Sequence, residues 1–194
     1  MSRLTQGPPS ERTESEPRRS PPGGRRGASY LEALVIALAC LGFVFGVLRP
    51  LVAEVLFIPS ASMAPTLEAG DRVLAEKMTY QISEPRRGDV ILFEDESGLN
   101  VKRVAGLAGD RVEIRDGVLH VDGEPRPEPY VNHRLNDGYF FGPVRVPPGH
   151  LFVLGDNRQN SLDSRSLGPV PEESLVGRVR LRLWPPDPGR GVGP

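Results

Sequence analysis

Sixteen consecutive residues without a charge or a proline, Ala33 to Leu48 (ALVIALACLGFVFGVL), constrain this chain more than any other feature. As an α-helix the run covers about 24 Å, and Tyr30 to Glu32 with Arg49 bring it near the ~30 Å of a bilayer's hydrocarbon core. Arg18, Arg19, Arg25 and Arg26 precede it with no acid among them, the charge bias that holds a flank in the cytoplasm. A buried helix of a soluble fold and a cleaved signal peptide are the competing readings of so short a run. The tail in front is long for a signal peptide, no small-x-small site closely follows Leu48, and Arg49-Pro50 ends the run. The expectation is one uncleaved transmembrane helix over residues 30–50. The single-pass topology then leaves the N-terminus cytoplasmic and everything from Leu51 onward on the extracytoplasmic side of the cell membrane.

The flanks differ sharply from this segment. Residues 1–29 carry five prolines, six arginines and three glutamates with almost no large apolar side chain. They cannot bury enough apolar surface to offset ordering entropy, and are expected to be disordered. Residues 51–186 form the expected exported domain, and 187–194 a tail. With Gly 22 and Pro 21 in 194 residues the chain is too turn-rich for a largely helical fold. Val90–Phe93 and Leu151–Leu154 read as buried strands. Arg111–Arg115 and Val118–Val121 flank Asp116-Gly117, a hairpin signal, and Asp122-Gly123 follows as a second turn. In the last strand Val179, Leu181 and Leu183 alternate with Arg178, Arg180 and Arg182, which predicts a half-buried strand with a charged outer face. The expected fold is all-β, compact antiparallel sheets or a barrel.

Several chemistries drop out early. A net charge of −1 offers no global basic field for nucleic acid. The one cysteine, Cys40, lies in the apolar run, and three histidines at 120, 133 and 150 fall in no metal-ligand spacing. That excludes a disulfide framework and a Cys-based zinc site. None of the histidines has a Ser or Cys motif beside it, which disfavours Ser–His–Asp and Cys–His catalysis.

Lysine usage is more informative. Of 24 basic residues only Lys77 and Lys102 are lysines. Arginine stays protonated, whereas a buried lysine can be depressed toward neutrality and serve as a base. In Asn100-Val-Lys-Arg-Val, Lys102 and Val104 share one strand face and Arg103 the other. If Arg103 faces water, Lys102 points inward. Lys77, beside Glu76, reads as a surface charge. A nucleophile is sought in Ile58-Pro-Ser-Ala-Ser-Met-Ala-Pro-Thr-Leu67, just past the apolar run. Gly155-Asp-Asn-Arg-Gln-Asn-Ser-Leu-Asp-Ser-Arg-Ser-Leu-Gly168 is a polar loop leaving a buried strand, suited to a hydrogen-bonded support shell. A Ser/Pro linker and a solvated loop are the plain readings of these two stretches taken singly.

Taken together, four blocks in order behind a membrane segment resemble the type I signal peptidases, membrane-bound serine endopeptidases that remove leader peptides from exported preproteins. The blocks are IPSASMAPTL, RRGDVILF, NVKRVAGLAGD and GDNRQNSLDSRSLG, within residues 31–184. The resemblance implies Ser62 as nucleophile, Lys102 as general base, and Ser60 as an oxyanion-hole hydroxyl beside the Ser62 N–H. It implies Ser161 as the serine that orients the lysine amine, with Asp163 and Arg165 as a supporting charged pair and Asp156 nearby. Ile58, Pro59, Met63 and Val101 match shallow pockets for small residues at −1 and −3 of the cleavage site. No cofactor is implied, and the partners are exported preproteins and the lipid bilayer. Gln159 stands where an acid is usual and Ala108 where a proline is, and the second β domain of longer relatives is missing. A specialised Ser/Lys peptidase for a narrow substrate such as a pilin, a self-cleaving repressor, and a non-catalytic membrane-tethered β module are the alternatives.

Overall fold

The computed structural model describes residues 26–44, 46, 52–133, 137–186 and 192. They fall into two units, 1–41 and 42–194. The first holds residues 26–41 of helix α1 (Arg26–Phe43). Its first turn includes residues 26–29, placed by sequence in the disordered tail. The correction follows from composition: Gly27-Ala28-Ser29 carries neither proline nor like-charge crowding and continues the helix already set by the apolar run. Leu34, Val35, Ile36, Leu38 and Leu41 are all exposed, so α1 is apolar on every side. Among the described residues no helix is long and apolar enough to cross a membrane. The span expected over 30–50 runs into positions 45 and 47–50, and the remaining tail calls at 1–25, 187–191 and 193–194 likewise lie outside the described residues.

The second unit is mostly β-sheet, with short helical turns at Thr79–Ile82, Ser164–Leu167 and Glu172–Ser174. A seven-stranded sheet has the order β1-β2-β11-β3-β4-β9-β10, and a four-stranded sheet the order β7-β6-β5-β8. The large sheet comprises β1 (Ala53–Phe57), β2 (Arg72–Glu76), β3 (Val90–Asp95), β4 (Gly98–Gly106), β9 (His150–Leu154), β10 (Val170–Pro171) and β11 (Leu175–Trp184). The small one comprises β5 (Arg111–Arg115), β6 (Val118–Val121), β7 (Glu124–Pro125) and β8 (Phe141–Arg145). All paired strands are antiparallel. Both predicted apolar runs are buried, within β3 and β9. Asp116-Gly117 joins β5 to β6 with φ of 49° and 74°, the left-handed pair that a two-residue hairpin turn needs. Three apolar clusters fill the interior. One of them packs Ile58, Met63 and Leu67 of the β1–β2 connection against Val73, Val90 and Val179, with Val192 of the tail also buried there.

One expectation fails for a local reason. The alternation of β11 breaks at register shifts between Val179 and Leu181 and between Arg182 and Trp184. A bulge adds a residue and reverses the facing that follows, so Leu181 and Leu183 are 53% and 42% exposed. Arg182 turns in to Asp71 instead, at 3.3 Å. Of Tyr139-Phe140-Phe141, only Phe141 joins the core, its ring 5.8 Å from that of Phe152. Phe140 is exposed, and the Arg165 guanidinium stands 5.5 Å from the Tyr139 ring.

Candidate active site

β4 is an interior strand paired with β3 and β9, and its second half is buried on both faces. The condition that Arg103 faces water is not met, and Lys102 is inward all the same: each is 4% exposed. Their buried charges are handled in opposite ways. Arg103 grips Asp156 through Nε–Oδ1 (2.8 Å) and Nη2–Oδ2 (2.7 Å), and donates to Gly88 O at 2.9 Å. Thr66 Oγ1 donates to the same carboxylate at 2.5 Å, and Tyr130 stacks 3.9 Å from the guanidinium. This fork satisfies both ions, as a buried pair must.

Lys102 has no such carboxylate. Its Nζ lies 3.1 Å from Ser62 Oγ and 3.1 Å from Val101 O. Burial pushes its pKa below the ordinary lysine value, against a weaker opposing pull from Asp163 and Asp95. Desolvation disfavours the ammonium and favours the neutral amine, the form able to accept a proton. Ser60 Oγ stands 3.3 Å from Ser62 Oγ. Thus a nucleophile, a depressed amine and a second hydroxyl converge, although Ser62 and Lys102 are 40 residues apart.

The loop carrying Ser62 is fixed from both ends. Met63 and Leu67 are buried anchors, and Leu67 N–H donates to Met63 O at 2.9 Å. From the polar loop, Asn157 donates its N–H to Ser62 O (3.0 Å) and its Nδ2 to Ala61 O (3.1 Å). Gly155 lets the two loops meet: a Cβ there would lie 2.2 Å from Ser161 Oγ and 2.6 Å from Ser62 O. Asp163 accepts from Gly155 N–H (3.0 Å) and from Arg165 Nε and Nη2 (2.8 and 2.9 Å). Burial raises the Asp163 pKa, but Arg165 and the Gly155 N–H outweigh it and hold the carboxyl below its usual range.

Most of the expected residues therefore come together. Ser60, Ser62 and Lys102 touch, and Asp163–Arg165 is a two-pronged pair. Asp156 serves Arg103. Ile58 and Met63 are buried with Val101 packed against them, while Pro59 is exposed. The Ser161 hydroxyl is buried and acts on the Asp163 carboxylate, while Lys102 Nζ bonds Ser62 and Val101. Sequence reading missed Arg103, Thr66, Gly155 and Asn157. A charge beside Lys102 in a strand bounded by apolar neighbours was the available signal for the first. Among the described residues no cluster of three or more potential metal ligands occurs.

Residues 28–184 match the family described as signal peptidase, peptidase S26. The chain is 36% identical over 199 residues to the signal peptidase I of Leptolyngbya laminosa, covering 97% of this chain and 93% of that protein. It is 38% identical over 175 residues to the signal peptidase I of Bacillus caldolyticus, covering 84% and 91%. The chain belongs to the signal peptidase family, peptidase S26.

Proposed function

We propose that this protein is a membrane-anchored endopeptidase that removes N-terminal signal peptides from exported preproteins, with Ser62 as nucleophile and Lys102 as general base. The 3.1 Å approach of a buried, carboxylate-free Lys102 amine to Ser62 Oγ carries this reading. The neutral amine takes the Ser62 proton as Oγ attacks the carbonyl carbon of the −1 residue. The resulting oxyanion is met by Ser60 Oγ and the Ser62 N–H, which contribute about 3 kcal/mol of transition-state stabilisation. Lys102 then passes its proton to the leaving nitrogen, and the same base activates water to hydrolyse the acyl-enzyme.

Ile58, Pro59, Met63 and Val101 form the shallow pockets for small residues at −1 and −3. A detergent-solubilised preparation should cut a preprotein with Ala at −1 and fail on the same preprotein with Phe there. Equal cleavage of the two would overturn the pocket assignment.

The bilayer is the second partner. The sequence run Ala33 to Leu48 and the all-round apolar exposure of α1 support an anchor. The β domain carries its own apolar face: Val55 and Leu181 flank Leu74 across three strands, and Phe57 and Trp184 flank Arg72. Four of these, Val55, Phe57, Leu181 and Trp184, are exposed, as a lipid-facing patch requires. Protease added to spheroplasts should digest the β domain and spare an N-terminal tag; a protected β domain would contradict the topology.

A further inference from the structure

Glu128 lies outside the four sequence blocks and outside the chemistry above, yet its charged side chain is only 1% exposed. It stands in Arg126-Pro127-Glu128-Pro129-Tyr130, the segment that leaves β7, where a proline on each side restricts the backbone. Arg126 N–H donates to Leu119 O (2.8 Å) and Val131 N–H to Glu128 O (3.0 Å), which ties the segment to the small sheet and to itself. From there Glu128 reaches the polar loop after β9. Its Oε1 accepts from Arg158 Nη2, and Arg158 Nε donates to Gly155 O at 3.0 Å. Arg103 and Arg165 each grip their carboxylate with two nitrogens, whereas Arg158 uses one. Its Nη1 and Glu128 Oε2 have no hydrogen-bond partner among the described residues. A buried pair that served stability alone would close the fork. Here the guanidinium is turned so that Nε holds a backbone carbonyl.

That carbonyl begins the turn that clamps the nucleophile. Gly155 lies so close to Ser62 O that a Cβ would come within 2.6 Å of it. Two residues on, Asn157 donates its N–H to Ser62 O (3.0 Å) and its Nδ2 to Ala61 O (3.1 Å). The Ala61–Ser62 peptide is planar, so holding its C=O also fixes the direction of the Ser62 N–H on its opposite side. A path of direct contacts therefore runs from Glu128 through Arg158 to Gly155, and along the turn to the peptide that carries the oxyanion donor. A second branch reaches the base's strand. Tyr130 Oη donates to Glu128 Oε1 at 3.3 Å, and its ring lies 3.9 Å from the guanidinium of Arg103, the neighbour of Lys102. One short segment braces both halves of the site.

We propose that Glu128 is a positioning residue for the oxyanion hole: by orienting Arg158 it sets the Gly155–Asn157 turn that aims the Ser62 N–H. The proposal rests on the Ser62/Lys102 endopeptidase reading. The test uses the full-length, detergent-solubilised protein, a preprotein substrate, and two variants, Glu128→Gln and the double replacement Glu128→Leu with Arg158→Met. For Glu128→Gln kcat should fall about 10- to 100-fold while KM stays within about twofold, since the loss falls on the aim of a transition-state donor. The double variant leaves no unpaired charge, so it should melt near the wild-type temperature. It should nevertheless keep the kcat loss, because Gly155 O no longer has Arg158 Nε. A residue that served the fold alone would give the opposite pattern, with kcat recovering alongside the melting temperature. A folded Glu128→Gln protein with kcat within about threefold of wild type, or a double variant that regains wild-type kcat, would overturn the positioning role. A double variant that fails to fold would assign the pair to the fold and overturn it as well. Cleavage by wild type in the same assay preserves the endopeptidase reading in each of these cases, and its absence would overturn both.

Discussion

Asp156→Ala should destabilise the β domain by about 3–5 kcal/mol, the cost of leaving a buried charge without its partner. The side chains of Arg103 and Asp156 are 5% and 1% exposed, and both carboxylate oxygens accept from the guanidinium. Removing the acid strands Arg103 in the interior, where Gly88 O and the Tyr130 ring are polar neighbours but not counter-charges. Against a total stability of about 5–15 kcal/mol, that loss is large enough to lower expression and the urea midpoint together. Replacing both ions, as Arg103→Met with Asp156→Leu, should recover most of the stability, because no unpaired charge then remains. A change below about 1 kcal/mol for Asp156→Ala would mean that the pair is solvated and the β4 wall open.

The same strand explains what the sequence revealed and what it concealed. β3, β9 and the β5–β6 hairpin were legible because their signals are local: short apolar runs, and an Asp-Gly pair able to take positive φ at both positions. The support of Arg103 was not, because its partner lies 53 residues away and period-two alternation assigns only opposite faces, not which face is wet. β3 and β9 pair with the two edges of β4, and the burial of both its faces depends on what packs above and below the sheet. In β11 the alternation itself was real, but a bulge is a property of pairing with β2, not of β11's composition. The dyad was legible as two residues in matching blocks. Its 3.1 Å geometry, and the Gly155 contact that seats one loop on the other, are tertiary facts.

Lys102 and Arg103 also show two opposite uses of burial. Pairing satisfies Arg103 and makes it structural. Burial of Lys102 without a contacting carboxylate lowers its pKa, as the proposed role of base requires. The sign sets a stability consequence. Above its lowered pKa, and up to the free-lysine value near ~10.4, the unfolded chain holds a proton at Lys102 that the folded one has released. This residue's contribution to stability therefore rises with pH across that window, and is least favourable below it.

The most direct measurement of the central claim is preprotein cleavage by the Lys102→Arg protein, checked for folding by circular dichroism and thermal melting. Arginine keeps charge and approximate reach but cannot deprotonate. Turnover should fall by about 10⁴-fold or more, as should that of Ser62→Ala, and the double variant should lose little further because the two act as a unit. Lys77→Arg, at a half-exposed lysine paired with Glu54 at 2.5 Å, should leave the rate nearly unchanged. The wild-type rate should rise with pH as the Lys102 amine loses its proton, on a limb well below ~10.4. A folded Lys102→Arg enzyme that cleaves within about tenfold of wild type would contradict the Ser62–Lys102 dyad, since catalysis would then proceed without a neutral amine.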